Sequence, residues 1–417
     1  MNYSKKESII EQVFIKSEKG FEMVNTNEEA VEHLLTRNVS EVIVRKDLKK
    51  ALLSGKNLRI YIGVDPSSPV IHIGHAVGLR KLKEFQDLGH QVIFLIGDFT
   101  GRIGDPTDKK AQRVPLTEKE VLENAKTYLD QAGKILDIKK AEIRYNAEWL
   151  DQLKFEDVVK LAANFTVQQM IERDMFQERL KGGKPIGLHE FLYPLMVGYD
   201  SVALDVDVEM GGTDQTFNML AGRTLMKALK GKEKQVLTVP LLVGTDGRKM
   251  SKSYGNVIGV TDPANDMFGK VMSIKDELIV QYFTLCTDRT DEEVKKIEKD
   301  LKDGENPRDL KFQLAKDIVS LYHGEKEAEK AAAEFEKIFK NKEKPSEMPK
   351  ASFKKGDKLV DILVNAKIIS SKSEARRLIQ QNGVKDNDRT VTDIDYALDL
   401  GKHVVQVGKR RFIELNG

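Results

Sequence analysis

The chain of 417 residues has 32% charged and 40% hydrophobic residues and a formal net charge of +2. Its length is enough for two or three domains with a large core. The near-neutral charge excludes a globally basic nucleic-acid-binding protein, so any RNA contact must come from local patches. The single cysteine, Cys286, excludes an intramolecular disulfide and a cysteine-based zinc site and fits a reducing compartment. Because Cys286 lies in the apolar run 282–286, we expect it to pack in a core.

The sequence predicts no association with a membrane. Its first residues, Met-Asn-Tyr-Ser-Lys-Lys-Glu, are polar and charged and lack the apolar segment of a secretory signal. No apolar run reaches the roughly 18 residues that a transmembrane helix needs. We therefore expect a cytoplasmic protein with no membrane partner.

The pattern of the chain changes after residue 57. Residues 1–57 are predicted to be a helical region, because apolar residues in 25–35 and 42–53 recur at helical spacing. After that, short apolar runs typical of strands alternate with helical patterns. Strands are predicted at 58–63, 91–97, 141–145 and 236–243, and helices at 72–88 and 117–136. This alternation predicts an α/β fold, with a Rossmann-like, doubly wound parallel sheet in a domain at 58–261.

The rest of the chain is predicted to hold an all-helical domain and a small α+β domain. Residues 262–340 show helical patterns only, with amphipathic stretches at 309–322 and 327–339. Residues 341–357, rich in Lys, Pro and Ser, are predicted to be a linker. The last segment is 358–417. Its predicted elements are two helices and a strand pair, at 359–365, 373–382, 404–407 and 411–415.

A first short string lies in a loop between a predicted strand and a helix, where a doubly wound sheet binds ligands. The string His72-Ile73-Gly74-His75 follows a turn-rich stretch and opens the predicted helix 72–88. A helix N-terminus with two imidazoles suits phosphate oxygens, and Gly74 would let an adenine approach the backbone. Taken alone, such histidines are more often surface or capping residues.

A second string, Lys249-Met250-Ser251-Lys252-Ser253, lies in a stretch rich in glycine and polar residues and is predicted to be a loop. Two lysines with serines between them can fold over a triphosphate and stabilise departing pyrophosphate. By itself, such a run is usually a solvated loop. The presence of both strings in one chain favours a site for ATP.

In this order, the two strings resemble the paired signatures of class I aminoacyl-tRNA synthetases. Further segments are similar to those of bacterial tyrosyl-tRNA synthetases, and this resemblance extends over nearly the whole chain. The segments are Gly97-Asp98-Phe99-Thr100 with Gly104-Asp105-Pro106-Thr107, Tyr193-Pro194-Leu195-Met196-Val197-Gly198-Tyr199-Asp200, Gly211-Gly212-Thr213-Asp214-Gln215 and Ser373-Glu374-Ala375-Arg376-Arg377-Leu378-Ile379. The last segment resembles the family's S4-like RNA-binding domain, here at 358–417, and the helical region 262–340 would bind the anticodon.

The resemblance implies a tyrosine pocket. Its residues would be Tyr61, Asp65, Thr100, Asp105, Tyr193, Val197, Asp200 and Gln215. Tyr61 and Asp200 would bind the phenolic hydroxyl, which phenylalanine lacks; tyrosyl-tRNA synthetases are the standing example of rejecting phenylalanine without editing. Consistent with that, the chain has no long insert to house an editing domain. Asp105 and Tyr193 would hold the α-ammonium, with the other residues positioning the substrates.

The resemblance likewise implies an ATP site that draws on both strings. His72 and His75 would donate hydrogen bonds to phosphate oxygens, and Lys249 and Lys252 would stabilise the transition state there, which makes these four the predicted catalytic residues. The carboxylate of Asp214 would bind the ribose. The predicted ATP site comprises His72, Gly74, His75, Asp214, Lys249, Met250, Ser251, Lys252 and Ser253.

One residue departs from the family's pattern. Val197 stands where tyrosyl-tRNA synthetases usually carry a glutamine that contacts the substrate ammonium, between Tyr193 and Asp200. Valine has no side-chain donor or acceptor. We expect weaker binding of tyrosine rather than a different amino acid, with Asp105, Tyr193 or water in compensation.

The activity implied by the resemblance has two steps. The carboxylate of tyrosine, ionised at neutral pH, would attack the α-phosphate of ATP, giving tyrosyl-adenylate and pyrophosphate. The terminal ribose of tRNA(Tyr) would then take the tyrosyl group and release AMP. Mg²⁺ would accompany ATP, held by phosphate oxygens and water rather than by a protein metal site. The implied partners are L-tyrosine, ATP, tRNA(Tyr) and a second copy of the chain in a homodimer.

Local basic clusters are candidates for contacts with tRNA phosphates. Residues 340–355 hold six lysines against two glutamates. The individual candidates are Arg376, Arg377, Lys409, Arg410 and Arg411. For any single cluster, a solvated surface is about as good an interpretation.

Two alternatives stay open. A tryptophanyl-tRNA synthetase would share the two signature strings, but Tyr61, Asp200 and the RNA-binding tail argue against it. An RNA-binding homologue that has lost catalysis gains slight support from Val197, while both intact strings oppose it. Amino-acid-dependent pyrophosphate exchange with tyrosine, tryptophan and phenylalanine distinguishes these possibilities.

Overall fold

The computed structural model describes residues 24–107, 116–251, 254–339, 348–369, 371–408 and 411–417. The chain forms two compact units. The first comprises Met1–Val243 and Gly259–Thr261, and the second comprises Gly244–Ile258 and Asp262–Gly417. The five-part division predicted from the sequence is finer than these two units, and its internal boundaries stay predictions.

The first unit is built on a six-stranded sheet. Its strands are β1 (Glu41–Ile43), β2 (Arg59–Val64), β3 (Gln91–Ile96), β4 (Glu142–Tyr145), β5 (Val208–Gly212) and β6 (Gln235–Val239). Their order in the sheet is β1-β6-β5-β2-β3-β4; β2 to β6 pair in parallel, and β1 pairs antiparallel with β6. Every residue of β6 is buried, as expected for a parallel strand covered on both faces. The predicted parallel sheet is confirmed.

The strand order reverses between β2 and β5. From β2 the chain proceeds outward to β3 and β4, whereas β5 and β6 lie on the other side of β2. Such a reversal leaves a crevice at the carboxyl ends of the strands, where open α/β sheets bind ligands. In the register, Tyr61 of β2 stands beside Glu209 of β5.

Twelve helices in the described part of this unit cover the sheet or extend from it. They are Glu28–Thr36, Arg45–Leu53, Ile73–Asp87, Thr100–Ile103, Glu118–Ala125, Tyr128–Ala132, Ala147–Leu150, Phe155–Ala162, Val167–Ile171, Asp174–Lys181, Leu188–Leu204 and Thr216–Lys230, with a 3₁₀ turn at Thr213–Gln215. Leu188–Leu204 and Thr216–Lys230 pack against each other and border the reversal point. The stretch 117–136, predicted as one helical segment, is split into two short helices.

Two strands of this sheet were not predicted. β1 lies within the region predicted to be helical, and the helix predicted over 42–53 begins only at Arg45; three residues are too few to show an alternating pattern. β5 was missed because Glu209, which is 3% exposed, interrupts its apolar residues. A charged side chain in the middle of a strand argues against burial of that strand unless a partner for the charge is known. The partner of Glu209 lies far away in the sequence.

The helices of the second unit between Asp262 and Phe339 agree with the predicted all-helical region. They are Ala264–Met272, Ile279–Cys286, Asp291–Lys302, Pro307–His323 and Glu325–Phe339, with a 3₁₀ turn at Asp276–Leu278. Asn306 caps Pro307–His323, accepting from the N–H of Arg308, which matches a helix start with proline in its first turn. Cys286 is buried, so its predicted core packing is confirmed.

The C-terminal part holds a five-stranded sheet with the helices Leu359–Asn365 and Lys372–Gln380. Its strands are β7 (Lys350–Ser352), β8 (Val384–Asp386), β9 (Arg389–Thr390), β10 (Lys402–Val407) and β11 (Arg411–Asn416), in the order β7-β11-β10-β8-β9. The predicted strand pair is β10 and β11, in antiparallel register. β7 pairs with β11 although it lies in the predicted linker, so the sheet begins before residue 358; residues 340–347 lie outside the described residues.

No helix in the described parts of the chain is long and apolar enough to cross a membrane.

Candidate active site

Three polar residues follow the carboxyl ends of neighbouring parallel strands. Asp65 comes directly after β2, Thr100 shortly after β3 and Asn146 directly after β4. Because the carboxyl ends of parallel strands meet at one edge of the sheet, these side chains reach one another despite their separation in sequence. Asn146 Nδ2 donates to Thr100 Oγ1 at 2.9 Å, and Thr100 Oγ1 donates to Asp65 Oδ1 at 2.6 Å.

Asp65 also joins this edge to the helix Leu188–Leu204. The hydroxyl of Tyr193 donates to Asp65 Oδ2 at 2.8 Å. Burial, together with the charges of Asp65 and Asp105, raises the pKa of Tyr193 well above its ordinary value, so its hydroxyl stays protonated and donates. Gly97 permits the approach of Thr100 to Asp65, because a Cβ at position 97 would lie 2.0 Å from the Asp65 Oδ1 atom.

Asp200 is a buried carboxyl group with two donors. It is 3% exposed; Trp149 Nε1 donates to its Oδ1 at 2.7 Å and Asn146 Nδ2 to its Oδ2 at 3.2 Å. Burial raises the pKa of Asp200 well above its ordinary value, while the hydrogen bonds from Trp149 and Asn146 act to lower it. A further donor from a ligand would favour the carboxylate form.

Tyr61 points its hydroxyl at Ser201, the neighbour of Asp200 in the helix. The Tyr61 hydroxyl oxygen lies 2.9 Å from Ser201 Oγ, and Tyr61 is 1% exposed. Burial first, then the charges of Glu209 and Asp200, raises the pKa of Tyr61 well above its ordinary value. Tyr61 is therefore a neutral phenol next to two carboxyl groups.

Asp105 is held through both oxygens. The backbone N–H and the hydroxyl of Thr107 donate to Asp105 Oδ1 at 2.8 and 2.6 Å, and Gln215 Nε2 donates to Oδ2 at 2.7 Å. The buried Arg173 donates from Nη2 to Thr107 Oγ1 at 3.0 Å, and Asn218 Nδ2 to Gln215 Oε1 at 2.7 Å. These contacts fix the carboxylate and leave it an acceptor suited to an ammonium group.

Val197 lies on the helix Leu188–Leu204 between Tyr193 and Asp200 and is partly buried. Positions four and three residues away share a face of a helix. Val197 thus faces the same side as the two polar residues and contributes no hydrogen-bonding group there.

The two histidines of the first string lie together at the start of the helix Ile73–Asp87. Their rings are stacked with centroids 3.7 Å apart, and the N–H of His72 donates to His75 Nδ1 at 3.3 Å. Burial lowers the pKa of His72 to about 2 and that of His75 to about 4, so both rings are neutral near pH 7. His72 Nδ1 is buried and has no hydrogen-bond partner among the described residues.

The other predicted residues of the ATP site fall in separate places. Gly74 lies in the first turn of the helix Ile73–Asp87, and Asp214 in the 3₁₀ turn Thr213–Gln215. Gly74 is partly buried. Gly74 lies at the start of its helix, and Asp214 precedes the helix Thr216–Lys230. Both helices start at the carboxyl edge of the sheet.

The second string belongs to the second unit. Lys249 is exposed and Met250 is buried. Asn256 braces the string: its Oδ1 accepts from the N–H of Ser251 at 2.8 Å, and its Nδ2 donates to the Lys249 carbonyl at 3.1 Å. Two of the predicted residues, Lys252 and Ser253, lie outside the described residues.

The candidate tRNA contacts differ in their surroundings. Arg376 and Arg377 are exposed on the helix Lys372–Gln380. Arg411 donates to Glu374 Oε1 at 3.2 Å and to a backbone carbonyl at 2.8 Å, so it ties β11 to that helix. The remaining two, Lys409 and Arg410, lie outside the described residues.

Sequence reasoning missed five residues of the site. They are Asn146, Trp149, Ser201, Glu209 and Lys234. The position of Asn146 directly after a predicted strand was a usable signal. Lys234 gave none, because it follows Lys230 and Lys232 in a stretch that is typical of a solvated turn.

The described residues contain no group of three or more His, Cys, Asp or Glu side chains placed to hold a metal ion.

Comparison with known proteins gives a consistent result. Residues 53–340 match the family model of tRNA synthetases class I (W and Y), and residues 339–413 match that of the tyrosine--tRNA ligase SYY-like C-terminal domain. A tyrosine--tRNA ligase from Thermotoga maritima is 49% identical over 395 residues, which cover 94% of this chain and 98% of that protein. A tyrosine--tRNA ligase 2 from Vibrio vulnificus is 49% identical over 382 residues, covering 91% and 97%.

Solved structures agree. A C-terminally truncated mitochondrial tyrosyl-tRNA synthetase from Aspergillus nidulans has a TM-score of 0.61 at 23% identity, covers 80% of this chain and 99% of its own, and shares the fold. A tyrosyl-tRNA synthetase from Archaeoglobus fulgidus, solved with L-tyrosine, has a TM-score of 0.59 at 25% identity and covers 73% and 100%. The chain therefore belongs to the tyrosyl-tRNA synthetase family, whose members use ATP to attach tyrosine to tRNA.

Proposed function

We propose that the pocket at the carboxyl ends of β2, β3 and β4 binds L-tyrosine and activates it with ATP for transfer to tRNA(Tyr). The observation that carries this proposal is the buried carboxyl group of Asp200, which two donors hold beside the hydroxyl of Tyr61. A buried acceptor of this kind accepts the phenolic O–H of tyrosine, a hydrogen bond that phenylalanine cannot supply.

At the other end of the pocket, Asp105 and Tyr193 hold the α-ammonium of tyrosine, as predicted, and Asp65 adds a carboxylate that accepts from the Tyr193 hydroxyl. Asp105 is held by Thr107 and Gln215, and Asp65 by Tyr193. Fixed carboxylates need little reorganisation when an ammonium group binds. This orientation compensates in part for Val197, which lacks the hydrogen-bonding group usual in the family.

The first step requires no general base, because the tyrosine carboxylate is already ionised at neutral pH. His72 and His75, neutral at that pH, serve as hydrogen-bond donors to phosphate oxygens rather than as cations. Asp214 binds the ribose. Roles for Lys249 and Lys252 in stabilising pyrophosphate rest on the resemblance of the second string.

Mg²⁺ enters this proposal only with ATP. We infer that any Mg²⁺ is held by phosphate oxygens and water, where it would neutralise phosphate charge.

For the second step, tRNA(Tyr) contacts the C-terminal part of the chain, with Arg376 and Arg377 as the exposed candidates. Phosphate contacts of this type supply affinity and salt dependence. We propose the cytoplasm as the location, because the lone cysteine fits a reducing compartment.

A homodimer is part of the proposal. Several large apolar side chains in the described part of the first unit are exposed, and five of them lie on helices between residues 155 and 204. They are Phe155, Val159, Val167, Leu180 and Leu188, with exposed fractions of 85%, 52%, 65%, 50% and 78%. Large apolar side chains left exposed are suited to contact with a protein partner, and a second copy of the chain is the partner we propose.

Amino-acid-dependent exchange of pyrophosphate into ATP tests the function. The wild type should be active with tyrosine and inactive with tryptophan. Asp200→Asn should lower kcat/KM for tyrosine by about 10²-fold and leave the trace rate with phenylalanine nearly unchanged, because one buried acceptor is lost. Asp87→Asn, an exposed carboxylate, is the matched control. Activity with tryptophan alone, or tRNA binding without any exchange, would overturn the proposal.

A further inference from the structure

Behind the hydroxyl of Tyr61 lies a buried polar cluster that the activation chemistry does not use. Its members are Ser201, Glu209 and Lys234. Each is at most 3% exposed. Glu209 is the register neighbour of Tyr61 across β5 and β2, so their side chains stand on the same face of the sheet.

Lys234 is satisfied by this cluster. Its Nζ contacts Glu209 Oε2 and donates to Ser201 Oγ and to the carbonyl of Met219, each at 2.9 Å. An ammonium group has three N–H donors and no acceptor, so all three of its donors are used. The cluster therefore holds Ser201 Oγ as an acceptor.

The neighbours of Ser201 also determine where its hydroxyl proton points. Ser201 Oγ lies 3.0 Å from Glu209 Oε2 and 2.9 Å from the hydroxyl of Tyr61. A hydroxyl has one proton, and hydrogen bonds to a carboxylate are stronger than those to a neutral phenol. Ser201 thus donates to Glu209, and the contact with Tyr61 requires the Tyr61 O–H to donate to Ser201.

We propose that Ser201, Glu209 and Lys234 are positioning residues that draw the hydroxyl proton of Tyr61 away from the tyrosine pocket, so that Tyr61 meets the substrate only as a hydrogen-bond acceptor. This inference rests on the proposed function, which sets the phenol of the substrate between Tyr61 and Asp200. The oxygens of Asp200 already accept from Trp149 and Asn146. The substituent at the para position of the substrate ring then faces two hydrogen-bond acceptors, Tyr61 and Asp200.

This arrangement has a consequence for the class of substrate. A phenol can donate one proton and therefore satisfies one of the two acceptors. An aromatic amine has two N–H donors and satisfies both, so the site should also activate 4-amino-L-phenylalanine. If the Tyr61 O–H instead donated into the pocket, it would disfavour that amine. The nitrogen of an aryl amine is a poor hydrogen-bond acceptor, whereas a phenol oxygen is a good one.

The experiment measures kcat/KM for L-tyrosine, 4-amino-L-phenylalanine and L-phenylalanine by pyrophosphate exchange with the full chain. In Ser201→Ala, the Tyr61 O–H loses its acceptor and turns toward the pocket. The kcat/KM ratio of 4-amino-L-phenylalanine to tyrosine should fall about fivefold, the size expected for one hydrogen bond. The fall should be absent when Ser201→Ala is combined with Tyr61→Phe. Ser201→Cys, with a poor acceptor, provides a second variant with the same expected direction.

Thr238→Val is the matched control, since Thr238 is a fully buried hydroxyl in β6 that contacts a backbone carbonyl away from this cluster. Its ratio should equal that of the wild type. An unchanged ratio in both Ser201 variants, or no activation of 4-amino-L-phenylalanine by the wild type, would overturn the inference while the proposed function stands. If Tyr61→Phe left the preference for tyrosine over phenylalanine unchanged, the proposed phenol site itself would be wrong.

Discussion

At the scale of single residues, the site depends on buried or partly buried carboxyl groups that accept hydrogen bonds from side chains on other elements. Asp65, Asp105 and Asp200 each accept hydrogen bonds at both oxygens. Asp200 is the most deeply buried of them, and its pKa is raised well above the ordinary value. Burial that disfavours the charged form lowers the free energy of unfolding wherever the group would otherwise be ionised.

The stability of Asp200→Asn relative to the wild type should therefore depend on pH. Between the unfolded pKa near 4 and the raised native pKa, the folded wild type binds more protons than the unfolded chain, so its stability falls as the pH rises. Asparagine does not titrate. The difference in Tm, variant minus wild type, should increase from pH 4.5 to pH 8 in thermal denaturation without substrate. A difference that is constant over this range would contradict the raised pKa.

Val197 supports a second prediction at this scale. Val197→Gln restores a hydrogen-bonding group on the face shared by Tyr193 and Asp200, and should lower the KM for tyrosine by up to about tenfold, as for one hydrogen bond to a charged group. Val197→Leu changes size without adding a donor or acceptor and is the control. Steady-state pyrophosphate exchange measures both. An unchanged KM in Val197→Gln would show that the ammonium is already fully bound without it.

At the scale of elements, one helix and one strand bring the chemistry together. Leu188–Leu204 carries Tyr193, Val197, Asp200 and Ser201, and β5 carries Glu209 to the position beside β2. The helix Thr216–Lys230 closes the far side of the cluster. Its Gly222 leaves the space that the cluster occupies, since a Cβ there would lie 2.4 Å from Lys234 Nζ and 2.7 Å from Ser201 Oγ.

Gly222→Ala should therefore act on the pocket without touching substrate. The added methyl group displaces the buried lysine or serine, and we expect a loss of about 1–3 kcal/mol in the free energy of unfolding together with a raised KM for tyrosine. Urea denaturation and pyrophosphate exchange measure the two effects. Leu229→Ala, an exposed position on the same helix, should change neither. A fully stable Gly222→Ala with wild-type KM would show that the cluster can shift without consequence.

At the scale of the whole molecule, the described chain consists of two units, and each was partly predictable. The nearly all-apolar β3 and the helices Pro307–His323 and Leu359–Asn365 are periodic or apolar over short stretches, so the sequence predicts them well. β5 and β7 were missed because one contains a charge and the other lies in a stretch typical of a linker. Both become strands through pairing with partners remote in sequence.

The proposed homodimer is a prediction at this scale. Leu188→Asp replaces a side chain that is 78% exposed with a charge that would be buried without a partner in a dimer. The variant should shift from dimer to monomer in analytical ultracentrifugation at micromolar concentration, with an unchanged far-ultraviolet circular dichroism spectrum. Leu400→Asp, 61% exposed in the second unit, is the control and should stay a dimer. A wild type that is monomeric would contradict the proposal.

The sequence by itself determined the family, the α/β class and most residues of the proposed site, because signature strings and apolar runs are local patterns. The tertiary structure decided how those residues are held. Asn146 reaches Asp200 across 54 positions and Tyr61 reaches Ser201 across 140, and the buried Lys234 forms an ion pair with Glu209. Hydrogen bonds of this kind depend on which strand ends meet at one edge of the sheet, and no local pattern of the chain contains that information.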